Sequence, residues 1–221
     1  MPTFPTPGPL AEQYPALSAV PGFVHGFTLR VPGLDVRVDR DAALALLDES
    51  HAATRAQLGL ASRRFVTARQ VHGAEVAVVD ANSPAEPEVD GLVTADFDVC
   101  LGIYAADCCV IYLVDPVRRA IGLLHSGRRG SEQGIATEAV RRMGESFGTQ
   151  PSDLVVQLSP CIRPPDYEVD FAALIIGQCR AAGVVQVHDC GISTARDVDR
   201  YYSYRMELGR TGRMLGLLAL A

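Results

Sequence analysis

The most informative stretch of the chain is residues 105–130, which read AADCCVIYLVDPVRRAIGLLHSGRRG. Two apolar runs, Val110–Val114 and Ala120–Leu124, are separated by a turn-forming Asp-Pro pair. Runs of this length and composition predict two β-strands that pair as an antiparallel hairpin. Because the distant ends of such strands lie side by side, Cys108 and His125 are expected to meet at the open end of the hairpin.

A third candidate ligand lies upstream of the hairpin. His72 falls between two predicted strands, Arg64–Val71 and Glu75–Asp80, and the glycine that follows it allows a sharp turn or a close approach to a ligand. Two histidines and one cysteine form the ligand set of a catalytic zinc ion, with a fourth position left open. We therefore predict a zinc site at His72, Cys108 and His125, with copper as the second choice of metal.

The remaining cysteines and histidines lack such a constellation. Cys109 follows Cys108, so in an extended chain its side chain points to the opposite face and into the core. Four further cysteines are read as structural: Cys100, Cys161, Cys179 and Cys190. His25 is a weaker candidate for the same cleft, whereas His51 and His188 are read as ordinary histidines.

A basic segment, Gly127–Gly130, precedes a predicted helix over Ser131–Phe147. Free N–H groups at a helix N-terminus bind anions, and arginines reinforce this. We predict that Arg128 and Arg129 bind phosphate, the alternative being a solvated basic turn. Three further candidates for the cleft are Arg69, Arg205 and, as an acid–base carboxylate or a structural group, Glu168.

Two aspartates lie close to the candidate ligands. Asp107 directly precedes Cys108 and is predicted to orient a ligand histidine by accepting its other ring N–H. Asp90 precedes a glycine, which favours a role in turn formation.

Composition excludes several classes of protein. All 20 basic residues are Arg, so pyridoxal phosphate attachment, Schiff-base chemistry and a P-loop lysine are ruled out. A net charge of −6 without a basic tract disfavours a nucleic-acid partner. No apolar run is long enough to span a bilayer, and no secretory signal is recognised. Six cysteines in such a chain favour a reducing cytoplasm.

Predicted strands outnumber predicted helices, and several strands are adjacent in sequence. Additional predicted strands are Val24–Arg30, Val89–Thr94, Val99–Tyr104, Leu154–Leu158, Val184–His188 and Arg213–Leu220. Further helices are predicted from Asp39 or Asp41 to Leu58 and over Asp170–Ala182. This pattern favours an α+β fold with mixed or antiparallel β-layers flanked by helices. Residues 1–10 are predicted to be a flexible Pro-rich tail, and residues 11–221 a single catalytic domain.

A family resemblance rests on motifs that occur in a fixed order. They are Gln-Val-His-Gly (70–73), Val-Asp-Gly-Leu-Val-Thr (89–94), Ala-Asp-Cys (106–108), His-x-Gly-x-Arg-Gly (125–130), Tyr-Glu-Val (167–169), Ser-Tyr-Arg (203–205) and Thr-Gly-Arg (211–213). The chain thereby resembles the YfiH or laccase-domain family, also called the multicopper polyphenol oxidoreductase family. The resemblance implies a fold related to the catalytic domain of cytotoxic necrotizing factor. It also implies purine nucleoside phosphorylase activity, with adenosine deaminase activity beside it.

The chain departs from the family pattern on the substrate side. Val110 stands where the family usually has Pro, and Arg128 stands where it usually has Trp. The three candidate metal ligands are retained. Because a guanidinium differs from an indole in polarity and hydrogen bonding, recognition of the base is expected to change or to be lost.

Four functions are compatible with these observations. The leading hypothesis is a zinc-dependent purine nucleoside enzyme, a monomer or homodimer whose partners are a nucleoside and phosphate. The second is a Cys–His hydrolase or amidase, with Cys108 as nucleophile and His125 or His72 as its base. A peptidoglycan-type substrate for it is implied by the family resemblance. The third is a copper phenol oxidase, although five histidines are too few for a multicopper centre. The fourth is a degenerate binding protein.

Overall fold

The structure is a computed structural model that describes residues 11–221. The predicted Pro-rich tail, residues 1–10, lies outside the described residues. The described chain folds into two mixed β-sheets and five α-helices, together with two short 3-10 helices. The α+β prediction with mixed layers is therefore confirmed.

The first sheet contains five strands in the order β1-β2-β11-β6-β3. The strands are β1 (Ala11–Glu12), β2 (Phe23–Thr28), β3 (Arg64–Thr67), β6 (Val99–Ala105) and β11 (Met214–Leu220). β11 pairs antiparallel with both β2 and β6, and β3 pairs parallel with β6. The C-terminal strand thus occupies the centre of this sheet.

The second sheet contains six strands in the order β10-β9-β7-β8-β5-β4. The strands are β4 (Val76–Val78), β5 (Gly91–Thr94), β7 (Cys109–Asp115), β8 (Ala120–Ser126), β9 (Val155–Leu158) and β10 (Gln186–Asp189). β7 and β8 form the predicted hairpin, with Val110 opposite His125 and Asp115 opposite Ala120. Every residue of both hairpin strands is buried, which explains why their sequences are continuous apolar runs.

The helices differ in length and in their ends. They are α1 (Pro15–Ser18), α2 (Arg40–Gln57), α3 (Arg128–Glu132), α4 (Ile135–Phe147) and α5 (Phe171–Ala181). The Asp39 side chain caps α2 by accepting from the backbone N–H groups of Asp41 and Ala42, and Asp170 caps α5 through Ala173. None of the described helices has the length and apolar character needed to cross a bilayer.

Alternate residues of β7 face two different cores. Val110, Tyr112 and Val114 pack between the two sheets, where the Tyr112 hydroxyl donates to the Gly26 carbonyl at 2.8 Å. Cys109 and its neighbours on the same face pack against α4 and α5. A sheet covered on both faces needs apolar residues at every position. Packing of the hairpin between the first sheet and the helices α4 and α5 holds its open end in place.

Several predicted boundaries differ from the structure. The single helix predicted over Ser131–Phe147 is wrong, because Gly134 adopts a left-handed conformation with φ 82° and separates α3 from α4. The strand predicted over Arg64–Val71 ends at Thr67. Beyond that point the backbone leaves the sheet, and the Arg69 N–H donates to the Pro87 carbonyl. All six cysteines are free.

Candidate metal and substrate site

His72, Cys108 and His125 come together as predicted. Each offers one ligand atom, and these atoms lie within 4.8 Å of one another. His72 is exposed, Cys108 is half-buried and His125 is buried, so one side of the cluster is open to solvent. Two imidazoles and a cysteine sulfur at this spacing form a group that could hold a metal ion.

The hairpin places two of the three ligands. Cys108 precedes the first residue of β7, whereas His125 lies on β8 opposite Val110. The approach of Cys108 to the next loop requires a glycine, because a Cβ on Gly127 would lie 2.6 Å from the Cys108 Sγ. Gly127 therefore permits the close approach of its loop to the cysteine ligand.

The third ligand sits in a strained loop. His72 has a left-handed backbone with φ 61°, a conformation uncommon for residues other than glycine. The sequence had assigned the turn to Gly73, which does not adopt positive φ. The backbone N–H groups of Val71, His72 and Gly73 all donate to the Asp90 carboxylate, at 3.1, 3.0 and 2.7 Å. These hydrogen bonds hold the strained conformation in place.

Asp90 also orients the second histidine. Its Oδ1 lies 2.8 Å from His125 Nδ1, so the neutral imidazole donates from Nδ1 and presents the Nε2 lone pair to the cluster. The turn role predicted for Asp90 is incomplete, since its side chain is fully buried and contacts two of the ligand segments.

Asp107 has a different role from the one predicted. Its carboxylate accepts from the Thr194 hydroxyl at 2.6 Å and from the Arg205 N–H at 2.7 Å. Its carbonyl accepts from the Ile162 N–H at 2.8 Å. Asp107, the residue before Cys108, therefore connects the segments of Thr194, Arg205 and Ile162 to the start of β7. The prediction that it orients a ligand histidine is wrong, because Asp90 does this.

The three ligands influence one another electrostatically. Burial opposes ionisation of the Cys108 thiol, but the charge of His125 and hydrogen bonds from His125 and His72 lower its pKa to about 6. Burial likewise opposes protonation of His125, whereas the nearby Cys108 and Asp90 raise its pKa to about 9. The two shifts have opposite directions, and both favour the charged thiolate and imidazolium forms over the neutral ones.

The cluster opens into a cavity of about 900 Å³. Four aromatic side chains line it, namely Tyr104, Tyr167, Phe171 and Tyr204. Four arginines also line it, namely Arg40, Arg128, Arg205 and Arg213. Cavities of this size accommodate small organic ligands, and the mixture of rings and guanidinium groups suits a ligand with both a flat ring and an anionic part.

The predicted basic residues divide between the cavity and its surroundings. Arg128 and Arg205 line the cavity, and their side chains lie 3.7 and 3.4 Å from the Glu168 carboxylate. Arg69 lies outside the cavity lining and pairs with Glu88 at 3.7 Å. Arg129 is exposed on α3 and also lies outside the lining. The predicted phosphate-binding role of these arginines stays a prediction.

Sequence reasoning missed two cavity arginines, Arg40 and Arg213. Arg40 begins α2, and Arg213 ends the Thr-Gly-Arg motif, which carries no functional signal in the sequence by itself. It also missed Gln70, whose side chain bonds both the N–H and the carbonyl of Tyr104 at 3.1 and 2.7 Å. The Gln-Val-His-Gly motif contained this residue, and its amide fixes one wall of the cavity.

The other histidines lie apart from the metal cluster. His25 is buried outside the cavity lining, and its Nε2 accepts from the Tyr14 N–H at 2.7 Å. His51 is buried and its ring lies 5.6 Å from that of Tyr104. Burial lowers the pKa of both His25 and His51 to about 4. His188 is exposed on β10.

A family sequence model and two curated proteins match most of this chain. Residues 33–174 and 167–221 match the sequence model of the family described as multi-copper polyphenol oxidoreductase laccase. A purine nucleoside phosphorylase of Deinococcus radiodurans is 33% identical over 234 aligned residues, covering 89% of this chain and 88% of that protein. A purine nucleoside phosphorylase of Streptomyces coelicolor is 32% identical over 191 residues, covering 74% and 78%.

Solved structures share the fold. YlmD from Geobacillus stearothermophilus superposes with a TM-score of 0.79 at 25% identity, over 96% of this chain and 99% of that chain. The hypothetical protein YfiH from Bacillus licheniformis superposes with a TM-score of 0.80 at 20% identity, over 90% and 93%. The architecture predicted from the sequence is therefore one that solved relatives adopt.

Proposed function

The chain belongs to the multi-copper polyphenol oxidoreductase laccase family, and we propose that it is a zinc-dependent purine nucleoside phosphorylase. The proposed reaction cleaves adenosine or inosine with phosphate to give the free base and ribose 1-phosphate. Adenosine deamination is proposed as a second activity of the same site. The observation that carries the proposal is the His72–Cys108–His125 cluster on the wall of a large cavity. The names of the relatives supply the substrate class.

The residues present fit a zinc ion. Two imidazole nitrogens and one thiolate are zinc's preferred donors, and Asp90 supports them by fixing the His125 tautomer. The lowered Cys108 pKa favours the thiolate that a metal requires. When bound, zinc supplies Lewis acidity, which polarises a substrate oxygen or lowers the pKa of water.

The cavity walls would position the nucleoside. The Arg205 guanidinium carbon lies 5.4 Å from the centroid of the Tyr167 ring. The Tyr167 and Phe171 rings meet edge to face, with their centroids 6.0 Å apart. These groups offer a flat surface on which a purine can stack. Arg128 lies beside the Glu168 carboxylate, which also contacts Arg205. It occupies the position where the family usually has a tryptophan. A guanidinium can stack on a base and also donate hydrogen bonds to it.

In phosphorolysis, a phosphate oxygen bonds to the ribose C1′ while the C1′–N9 bond breaks. The purine leaves with the bonding electron pair and takes up a proton. Positioning both reactants converts a two-molecule encounter into a reaction within one complex. Positively charged side chains around the cavity stabilise the phosphate as the sugar gains oxocarbenium character.

The proposal is tested with single-ligand variants. Cys108→Ser and His125→Ala should lose zinc and phosphate-dependent base release from inosine together, because three protein ligands leave none to spare. Cys190→Ser is the matched control, since Cys190 is half-buried outside the cavity lining. Zinc content and turnover are measured on proteins with matched circular dichroism. Full turnover by Cys108→Ser without zinc would contradict the proposal.

A Cys–His hydrolase is the second candidate. It is favoured by the Cys108 pKa of about 6 and by the hydrogen bond between His125 and Asp90, which together resemble a nucleophile, base and orienting acid. The two candidates differ in the reactivity of Cys108 toward iodoacetamide. A zinc thiolate resists alkylation until a chelator is added, whereas a catalytic thiolate reacts without one.

Two other hypotheses draw less from the structure. A multicopper oxidase needs several histidine-rich sites, and residues 11–221 contain one group of three or more clustered metal-ligating side chains. A degenerate binding protein is motivated by Arg128 and Val110, which replace the expected Trp and Pro. Cytoplasmic location and a monomeric or dimeric state stay predictions.

A further inference from the structure

Charge is distributed unevenly among the cavity arginines. Arg128 and Arg205 both lie beside the Glu168 carboxylate. None of the ion pairs formed within residues 11–221 includes Arg213. Arg40 contacts only the strongly exposed carboxylate of its neighbour Asp41, at 3.2 Å. Within the described residues, Arg213 is therefore the cavity arginine that forms no ion pair, and Arg40 forms only an exposed one.

The Arg213 guanidinium is held in place from one side. Its Nη1 donates to the carbonyls of Thr211 and Gly212 at 2.7 and 2.8 Å. Its Nε and Nη2 form no hydrogen bond with the described part of the chain. The side chain is half-buried and its guanidinium lies 5.8 Å from the centre of the Tyr204 ring. A guanidinium held at one nitrogen, on a side chain that lines a cavity, is preorganised to bind an anion through its remaining N–H groups.

Arg40 and Arg213 line the same cavity. Burial, and then the positive charge of Arg40, hold the pKa of Arg213 below its usual value. Two like charges that line one cavity are unfavourable when partly removed from water, unless an anion binds between them.

Strand pairing places Arg213 close to the segment that leads to Cys108. β11 begins at Met214, which pairs with Ala105 at the end of β6. Arg213 therefore lies at the same end of the sheet as Ala106 and Asp107, the two residues that lead to Cys108. An anion bound by Arg213 would lie beside the ligands rather than at the far side of the cavity.

We propose that Arg213 and Arg40 bind the phosphate co-substrate. The inference rests on the proposed function, which requires an inorganic phosphate beside the nucleoside. It assigns phosphate to arginines other than Arg128 and Arg129, the pair suggested by the sequence. It also leaves Arg128, Arg205 and the Tyr167 ring for the nucleoside. The Glu168 carboxylate already offsets the positive charge of these two arginines, so they attract an anion less strongly.

The inference is tested by titrating inorganic phosphate into the zinc-loaded protein by isothermal calorimetry. Arg213→Gln should raise the phosphate Kd by about ten- to a hundred-fold, the usual effect of losing charge-assisted hydrogen bonds. Arg40→Gln should raise it less, because Arg40 is more exposed. Arg118→Gln is the control for a lost positive charge, since Arg118 is exposed at the opposite end of the β7–β8 hairpin.

Steady-state kinetics separates this inference from the proposed reaction. Arg213→Gln should raise the KM for phosphate by a similar factor while changing the KM for inosine much less. If wild-type protein binds phosphate, Arg213→Gln weakens it and no nucleoside is cleaved, the phosphate site stands and the proposed reaction fails. A phosphate Kd equal in Arg213→Gln and Arg118→Gln, or no phosphate binding by wild-type protein, overturns the inference.

A folding defect in one variant does not block the test. Arg213→Lys keeps the charge but loses the forked donor, so it should bind phosphate with an affinity between those of wild type and Arg213→Gln. Arg40 is exposed at the start of α2, so Arg40→Gln should fold normally. A phosphate Kd unchanged in both Arg213→Lys and Arg40→Gln also overturns the inference.

Discussion

Replacing Asp90 by asparagine should weaken both the fold and the metal site. The carboxylate is fully buried and only accepts hydrogen bonds. Its Oδ2 accepts from the N–H groups of Val71 and Gly73, and its Oδ1 accepts from His72 N–H and His125 Nδ1. An asparagine amide has the same shape but replaces one acceptor oxygen with an NH₂ donor.

Either orientation of the amide removes important contacts. With the NH₂ group at the Oδ2 position, the N–H groups of Val71 and Gly73 face a donor. With it at the Oδ1 position, His125 can respond only by accepting at Nδ1, which places a proton on the Nε2 that should bind the metal. The first orientation loses two hydrogen bonds to a charged acceptor and the second loses the one from His72, at about 1.5–3 kcal/mol each. The free energy of unfolding of the metal-free protein should fall by roughly 1.5–6 kcal/mol.

Zinc binding should weaken as well. Removing the partner of a ligand histidine typically costs about 10- to 100-fold in metal affinity. Urea unfolding of metal-free protein measures the stability loss, and competition with a chromophoric chelator measures the zinc Kd.

Asp115→Asn is the matched control for a buried carboxylate. A single oxygen of Asp115, Oδ1, accepts from the Val117 and Arg118 N–H groups, and its Oδ2 has no partner within the described chain. Asparagine can therefore keep both hydrogen bonds, and Asp115 lies at the hairpin end opposite the cluster. If Asp90→Asn matched Asp115→Asn in both stability and zinc affinity, the role assigned to Asp90 would be refuted.

Three further predictions concern stability, the ligand loop and the base. Burial lowers the pKa of His25 and His51 to about 4, so the unfolded chain binds more protons between about pH 6.5 and 4 and stability falls as pH drops through that window. The free energy of unfolding, measured with urea, should be lower at pH 5 than at pH 7 by roughly 2 kcal/mol per histidine. This difference should be smaller in His51→Phe, and equal stability of the wild-type protein at both pH values would contradict the prediction. Gly127→Ala should lower zinc affinity by about ten-fold or more, as measured with a chelator, because its Cβ would lie 2.6 Å from the cysteine ligand; unchanged affinity would show that the loop yields. Arg128→Trp should raise turnover of purine nucleosides relative to wild type if this position stacks on the base, and unchanged kinetics would remove Arg128 from the base site.

The hairpin and the ligand set could be predicted because their signals are local. Two apolar runs joined by a short turn specify a hairpin, and its geometry alone brings Cys108 to His125. The α+β class followed from the order and spacing of strands. The division of the predicted Ser131–Phe147 helix was missed because Gly134 reads as tolerable inside a helix, whereas its left-handed backbone ends one helix and starts another.

The supporting contacts could not be read in the same way because they join distant segments. Asp90 reaches His125 because β5 pairs with β8, which sets Gly91 opposite Leu124. Asp107 is closer in sequence to Cys108 but points toward Thr194 and Arg205 instead. Sequence proximity favoured the wrong aspartate, and burial with its hydrogen bonds identified the right one.

The same limit applies to the cavity arginines. The sequence favoured Arg129 because it adjoins a predicted helix start, but α3 contains only five residues and Arg129 lies outside the cavity lining. Arg213 reaches the cavity because β11 pairs with β6 across more than 100 residues of sequence. Antiparallel pairing over such a separation is not visible in local patterns.

Product analysis with and without phosphate tests the central claim most directly. Zinc-loaded protein is incubated with inosine in buffers that contain or lack inorganic phosphate, and hypoxanthine, ribose and ribose 1-phosphate are quantified. The account predicts hypoxanthine and ribose 1-phosphate in equal amounts, with base release that depends on phosphate and is lost in Cys108→Ser. Equal base release in both buffers, with free ribose as the sugar product, would contradict it.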